Sequence, residues 1–356
     1  MKPNYFLVSV SNRENLNLCI SHALAGFTNS INGLWTFYEI NEGDYISFLY
    51  AARAHNLYQV VKKEVINNAD KIGPWKSVTF KMSGKTYYFP FRLKLKPIRE
   101  FNEPLVRNEF SYVAENLLLR GGYRKTHFQA DQTTLQNVSQ MGKIYKKEIE
   151  DFDSGSDNFV PKFSRKRNKI DNPRIFLFSE IILQTVIRHH FSKNDNLKKF
   201  LGKIKINELK ANNLEILGEK ALSEGHIDLL IKEAVPIGLS RNIVIEVKLG
   251  KATEKDFQQL KNYIEEFGEE CLRGVLIASD FSPKLRDKFN EIAKVKYSLN
   301  DFDSEPKSFG ELLKKLRLED FQRELFCDIL LALKGCPSGN FCLRQKRGVP
   351  LSSMKS

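Results

Sequence analysis

Cysteine is scarce in this chain, with five in 356 residues, and no two of them form a C-x-x-C pair. So sparse a set in a chain this long excludes a disulfide scaffold. Cys19 and Cys271 sit in apolar runs and read as core thiols. Cys327, Cys336 and Cys342 cluster near the C-terminus, but without the paired spacing that an iron–sulfur cluster favours. Long apolar runs are also missing. No stretch reaches the about 18 residues needed to span a bilayer, and the first residues, MKPNYFLVSVSNRENLN, carry no apolar signal core. A cytoplasmic protein with no membrane partner is expected. There is no internal repeat, and SGKT at 83–86 lacks the leading glycine of a phosphate-binding loop.

Positive charge, by contrast, is in excess. Lys and Arg number 56 against 43 Asp and Glu, a net charge of +13. A surplus of this size points to a polyanionic partner, most simply nucleic acid. At this length, and with 42% hydrophobic residues, two globular domains are expected.

Short strand-like runs fill the first part of the chain: NYFLVSV, GLWTFYEI, DYISFLYAA, NLYQVVKKEV, SVTFKM and TYYFPFRLKLKPI. Gly43-Asp44, Gly73-Pro74 and Ser83-Gly84 supply turns between them. Residues 14–25 and 110–119 have helical periodicity. The stretch 146–172 is charged and poor in large aliphatics, and reads as a basic, polar linker. From Pro173 strands and helices alternate, as in an α/β sheet. Helices are expected at 174–191, 253–267, 282–293 and 310–335, and strands at 213–220, 272–278 and 294–299.

Two apolar runs carry the chemistry. GHIDLLI (225–231) holds Asp228, and IVIEVKL (243–249) holds Glu246 and Lys248. Residues i and i+2 of a strand share a face, so Glu246 and Lys248 emerge side by side. If the two strands pair, Asp228 joins them. Two carboxylates and an ammonium form a minimal kit for metal-assisted phosphodiester hydrolysis.

At these residues the sequence resembles the PD-(D/E)xK nuclease superfamily, including NucS-like members. Asp228 matches its first motif and Glu246-Val247-Lys248 its second. Ile227 stands where many members have proline, a small departure. The helix after the motif carries Gln259 and Tyr263 in QLKNY, at i and i+4 on one face. Glu180, in FSEIIL, matches an acidic residue that many members carry on their first helix, and Glu219 is a further acidic position on the preceding strand. The resemblance implies catalytic roles for Asp228, Glu246, Lys248, Gln259 and Glu180. It also implies metal ligation by Asp228, Glu246 and the Val247 carbonyl, with Mg²⁺ as cofactor and Mn²⁺ as a substitute.

The first 140 residues carry a second resemblance, to EVE/YTH-type domains of the PUA-like group, and especially to the reader domain of some archaeal McrB-like proteins. It rests on FLVSVSNRENLNLCISHALAGFTNSINGLW, NEGDYISFLYAARAHNLYQVV, the Trp75 segment and YYFPFRLKLKPI. The family holds a flipped, modified base in an aromatic cage, which stacks on both faces of the base and bonds its edge. The resemblance implies modified-base-binding residues Phe27, Asn29, Ser30, Trp35, Trp75 and Tyr88, with Ser11 and Thr28 as further edge contacts. Arg120, Arg124 and Lys125 are expected phosphate contacts.

The expected fold is therefore α/β and multidomain. An N-terminal PUA-like β-barrel with helices (1–145) and the linker (146–172) precede a restriction-endonuclease-like α/β/α sheet (173–300) and a helical extension with a tail (301–356). The expected function is that of a modification-dependent DNA endonuclease. Its partner would be double-stranded DNA carrying a modified base, methyladenine before modified cytosine, and a homodimer would cut both strands. A repair nuclease acting on structured or mismatched DNA and a non-catalytic nucleic-acid reader are the alternatives.

Overall fold

The computed structural model describes residues 2–105 except 82, 126–170 except 154 and 156, 172–222, 225–285 and 288–321. Arg120, Arg124 and Lys125, the 110–119 helix and the three C-terminal cysteines lie outside these residues.

In the N-terminal half, β1 (Tyr5–Ser9), α1 (Arg13–Ser21), β2 (Leu24–Phe27), α2 (Ile31–Glu39), β3 (Tyr45–Tyr50) and β4 (Arg53–Val65) come first. A small hairpin, β5 (Val78–Thr79) and β6 (Thr86–Tyr87), precedes β7 (Phe91–Glu100), β8 (His127–Ala130), α3 (Gln132–Ser139) and β9 (Lys143–Ile144). The main sheet has the order β2-β7-β4-β3-β1-β8, with β9 joined to β7. Among the described residues this path is open, with β2 and β8 at its ends, and no closed barrel is seen.

The expected strand GLWTFYEI is instead helix α2. Its aromatic content suggested a strand, but Ser30 caps the helix by accepting from Gly33 N. Six of the nine residues in α2 are buried, so tertiary packing overrides a weak local preference. Helix α1 stops at Ser21, short of the expected residue 25, and the chain turns through Ala23 at φ +43° into β2.

The 146–172 segment is laid along the N-terminal half. Glu150 N donates to Ser21 O, Phe159 N to Val65 O, and Asn67 N to Asp157 O. It includes β10 (Lys162–Ser164), whose Phe163 is fully buried. β10 lies between β11 (Ile175–Leu177) and a distant strand, Lys307–Ser308.

In the C-terminal half, α4 (Glu180–Phe191) and α5 (Asn194–Lys203) lead to β12 (Leu214–Leu222), β13 (Gly225–Glu233), β14 (Asn242–Val247) and β15 (Lys251–Ala252). Then follow α6 (Glu254–Phe267), β16 (Cys271–Ala278), β17 (Asp280–Phe281), β18 (Ile292–Leu299), β19 (Lys307–Ser308), α7 (Phe309–Lys315) and β20 (Leu316–Asp320). The helix expected at 282–293 is replaced by a short 3-10 turn and the start of β18, and the one expected from 310 ends at Lys315.

The six strands run β12-β13-β14-β16-β18-β20. Both faces of β14 are buried, as in an α/β layered sheet. Ile243, Ile245 and Val247 pack toward α4, while Val244 and Leu276 pack toward Phe257 and Leu260 of α6. One cluster of buried side chains runs from Phe6 and Phe37 in the N-terminal half to Val186 and Phe191 of α4. No described helix is long and apolar enough to cross a membrane.

Candidate functional site

The antiparallel register of β13 on β14 pairs Leu229 with Ile245 and Ile231 with Ile243. One step further along stand Asp228 and Glu246, on neighbouring strands at the C-terminal end of β14. Asp228 Oδ2 accepts from Val247 N at 2.7 Å. Lys248 N donates to Ile277 O at 2.8 Å, which carries the strand direction past Val247. Lys248 Nζ lies 2.7 Å from Glu246 Oε1.

Glu180 comes from the first turn of α4, where a carboxylate is favoured by the helix dipole. It turns toward the strand end instead of capping its own helix. Its Oε2 accepts from Leu249 N at 3.0 Å, and its Oε1 lies 3.6 Å from Lys248 Nζ. Tyr297 OH donates to Leu249 O at 2.6 Å from the far side. The loop after the motif is thus held on both sides.

Helix α6 begins with a capping box between Thr253 and Asp256. Gln259 Nε2 donates to the buried Tyr263 OH at 2.7 Å, and His226 N donates to the same oxygen at 3.1 Å. Tyr263 therefore ties Gln259 to the start of β13. A Cβ at Gly225 would lie 2.5 Å from Tyr263 OH, and its φ is +150°, so the contact requires glycine there.

Charge at this cluster is unevenly held. Burial, reinforced by the nearby Glu246 charge, raises the Asp228 carboxyl well above the usual range. Burial raises Glu246 to about 7 against the opposing pull of Lys248. For Lys248, burial alone would lower the pKa, but Glu246, Asp228 and Glu180 outweigh it and raise it. Those three carboxylates thus favour the charged form of Lys248. Glu246 Oε2 is buried without a hydrogen-bond partner.

Among the described residues, no group of three or more His, Cys, Asp and Glu is spaced to hold a metal. The donors at hand are two carboxylates and a main-chain carbonyl. That set suits Mg²⁺, which takes few protein oxygens and keeps several waters. An orphaned buried carboxylate oxygen is the kind of atom a bound cation satisfies.

A second feature is a groove of about 710 Å³ in the N-terminal half. Of the expected base contacts, Phe27, Ser30 and Trp75 line it, with Ser11 and Thr28. Gly26 is packed so closely that a Cβ would fall 2.3 Å from the Trp75 ring. Asn29 and Tyr88 do not line this groove. They bond each other, Asn29 N to Tyr88 O at 2.9 Å and Tyr88 N to Asn29 Oδ1 at 3.3 Å, and so pin the end of β2 to the start of β7.

Trp35 also lies elsewhere, because it is on a helix. Its Nε1 donates to Glu39 Oε1 at 3.3 Å and its ring stands edge-on to His127. It lines a small cleft between the halves, together with Gln129, Gln184, Glu219 and Asp228. Phe80, Tyr87 and Phe89, which sequence reasoning missed, line the groove. Their signal was present in two aromatic strands flanking Ser83-Gly84, a hairpin pattern.

No protein-family model and no curated protein matches the chain. Among solved structures, it is similar to EndoMS in a complex with double-stranded DNA, at 23% identity and a TM-score of 0.19. That match covers 28% of this chain and 43% of the other, less than half its length. It is similar to the DNA modification-dependent restriction endonuclease AspBHI at 11% identity and a TM-score of 0.17, over 92% of this chain and 76% of that one. It is also similar to the MspJI restriction endonuclease in complex with a 27-mer oligonucleotide, at 9% identity and a TM-score of 0.16, over 86% and 66%. Matches this loose carry no argument about function, which rests on the geometry of the site.

Proposed function

We propose that this chain is a metal-dependent DNA endonuclease directed by a base-reading groove in its N-terminal half. The observation that carries the reading is the convergence of Asp228, Glu246, Lys248 and Glu180 at one strand end, with Glu246 Oε2 buried and unpartnered. A buried acid of this kind, beside a fixed cation, is hard to account for as packing alone.

Asp228, Glu246 and the Val247 carbonyl would hold Mg²⁺, or Mn²⁺ in its place. When bound, the metal makes a water more acidic and neutralises developing phosphate charge. Lys248 sets a positive charge where the pentavalent phosphorus would form. Glu180 holds Lys248 and the Leu249 amide in place, and Gln259, fixed by Tyr263, would take a further supporting role.

The groove between Phe27 and Trp75 would take an extruded base, methyladenine before modified cytosine, with Ser30 and Thr28 at its edge. A site with one set of acids cuts one strand, so double-strand cleavage calls for a homodimer. The chain's excess of positive charge suits the DNA backbone.

The test is cleavage of matched duplexes that are unmodified, adenine-methylated, cytosine-methylated or hydroxymethylated, with Mg²⁺ or Mn²⁺. Metal-dependent cutting of one modified duplex over the plain one is expected. Cutting confined to mismatched or branched DNA would replace this reading with repair. Binding without any cutting would reduce the chain to a reader.

A further inference from the structure

The hairpin β5–β6 stands out from the surface of the N-terminal half. Every described residue from Lys76 to Thr86 is exposed. Phe80 is among them at 56% exposure, a large apolar ring left in water. It does not hang freely. Phe80 N donates to Lys85 O at 3.0 Å, Gly84 N to Phe80 O at 2.8 Å, and the hydroxyls of Thr79 and Thr86 meet at 2.8 Å across the hairpin. The Phe80 ring stands edge-on to Tyr87 at 5.4 Å.

Three further facts converge on this residue. Phe80 borders the same groove as Phe27 and Trp75, at its exposed edge. Lys81 follows it in the chain and Lys85 faces it across the hairpin, both exposed. The deeper wall of the groove already has its own aromatic surfaces, Phe27 and Trp75 buried and Phe89 in contact with Trp75 at 5.5 Å. A braced aromatic flanked by two lysines complements a duplex, in which apolar base stacks lie between two phosphate strands.

We infer that this hairpin enters the DNA duplex and that Phe80 fills the gap in the stack left by the base drawn into the groove. The inference rests on the proposed base-reading role of the groove. An extruded base vacates the space just outside the mouth of its pocket, and refilling that space offsets part of the unstacking cost. Lys81 and Lys85 would sit against the flanking phosphates, fixing the depth of entry.

The test compares wild type, Phe80→Ala, Phe80→Trp and Lys81→Ala/Lys85→Ala without divalent metal. The probes are a duplex and a single strand that carry the same modified base, each with 2-aminopurine as the neighbouring base. Phe80→Ala is expected to bind the modified duplex about tenfold more weakly, the loss of one stacked aromatic. Its 2-aminopurine signal should fall, its binding to the single strand should hold, and Phe80→Trp should restore the duplex signal. The double lysine variant is expected to flatten the salt dependence of duplex binding.

Equal losses on duplex and single strand would put Phe80 inside the pocket and overturn the inference. Undiminished duplex binding and signal in Phe80→Ala would overturn it too. If wild type binds modified and plain DNA alike and gives no 2-aminopurine signal, the reading of the groove itself falls, whatever Phe80 does.

Discussion

Arg188 Nε lies 2.5 Å from Glu39 Oε2, with both side chains less than a tenth exposed. Glu39 ends α2, whose first turn borders the N-terminal groove. Arg188 lies in α4, whose first residue is Glu180. Thr185 Oγ1 adds a 2.6 Å bond to Glu39 Oε1, and the Arg188 guanidinium also donates to the Glu39 carbonyl. One ion pair therefore clamps the helix that starts at the groove to the helix that starts beside the Asp228, Glu246 and Lys248 cluster.

Removing one partner of that pair strands a buried charge. Glu39→Ala should cost about 3–5 kcal/mol of stability in urea unfolding. The paired change Glu39→Leu with Arg188→Met should cost markedly less, because no unpaired charge remains. Equal losses in the single and double variants would show that the pair's charge is not the issue.

Asp228→Ala and Lys248→Ala should each reduce metal-dependent cleavage at least about a hundredfold while DNA binding persists. Asp228→Asn should also lose the rise in Tm that Mg²⁺ gives the wild type, since a ligand that binds only the folded state stabilises it. Full cleavage in either alanine variant would move the active site elsewhere.

Trp75→Leu should weaken preference for modified over plain duplex by about tenfold, the scale of one base–aromatic stack. Trp35→Phe should leave that preference unchanged, because its ring faces the cleft between the halves. Binding competition between labelled duplexes measures both. Loss of preference in Trp35→Phe alone would put the reader outside the groove.

Stability should fall with rising pH through Glu215. Its neighbour Lys232 serves two carboxylates, Asp131 at 3.1 Å and Glu215 at 3.6 Å. Asp131 takes the closer contact and adds two bonds from Thr134. Burial, only partly offset by Lys232, then raises Glu215 from 4.5 to about 8. A carboxyl that holds its proton more tightly when folded favours the fold at low pH, and that advantage drains away from about pH 4.5 to 8. Glu215→Gln should show a flatter stability curve across that window. An unchanged slope would assign it to other groups.

Much of the candidate site was legible because it is local. Period-two alternation set Glu246 and Lys248 side by side, and a long amphipathic run gave α6 with Gln259 and Tyr263. Helix α2 was misread as a strand at 33–40 because its aromatics fit a strand as well as a buried helix, and only Ser30 as a cap tips the balance. On that helix the Trp35 ring turns toward His127, away from the groove that Phe27 and Trp75 line. The hairpin at 78–87 was legible as strands, but nothing in its spacing told that its aromatics border the same groove as Trp75 and Phe27.

The sequence by itself determined the acids, the lysine and the excess of positive charge, because alternation and composition act over a few residues or over the whole chain at once. Only the tertiary structure decided that Glu180 reaches the Leu249 amide, that Glu39 meets Arg188, and that the 146–172 segment is bound down and not slack. Those contacts join residues from 69 to 149 positions apart, and no local preference specifies them. They follow from which apolar faces can be buried together, a property of the packed chain and not of any stretch of it.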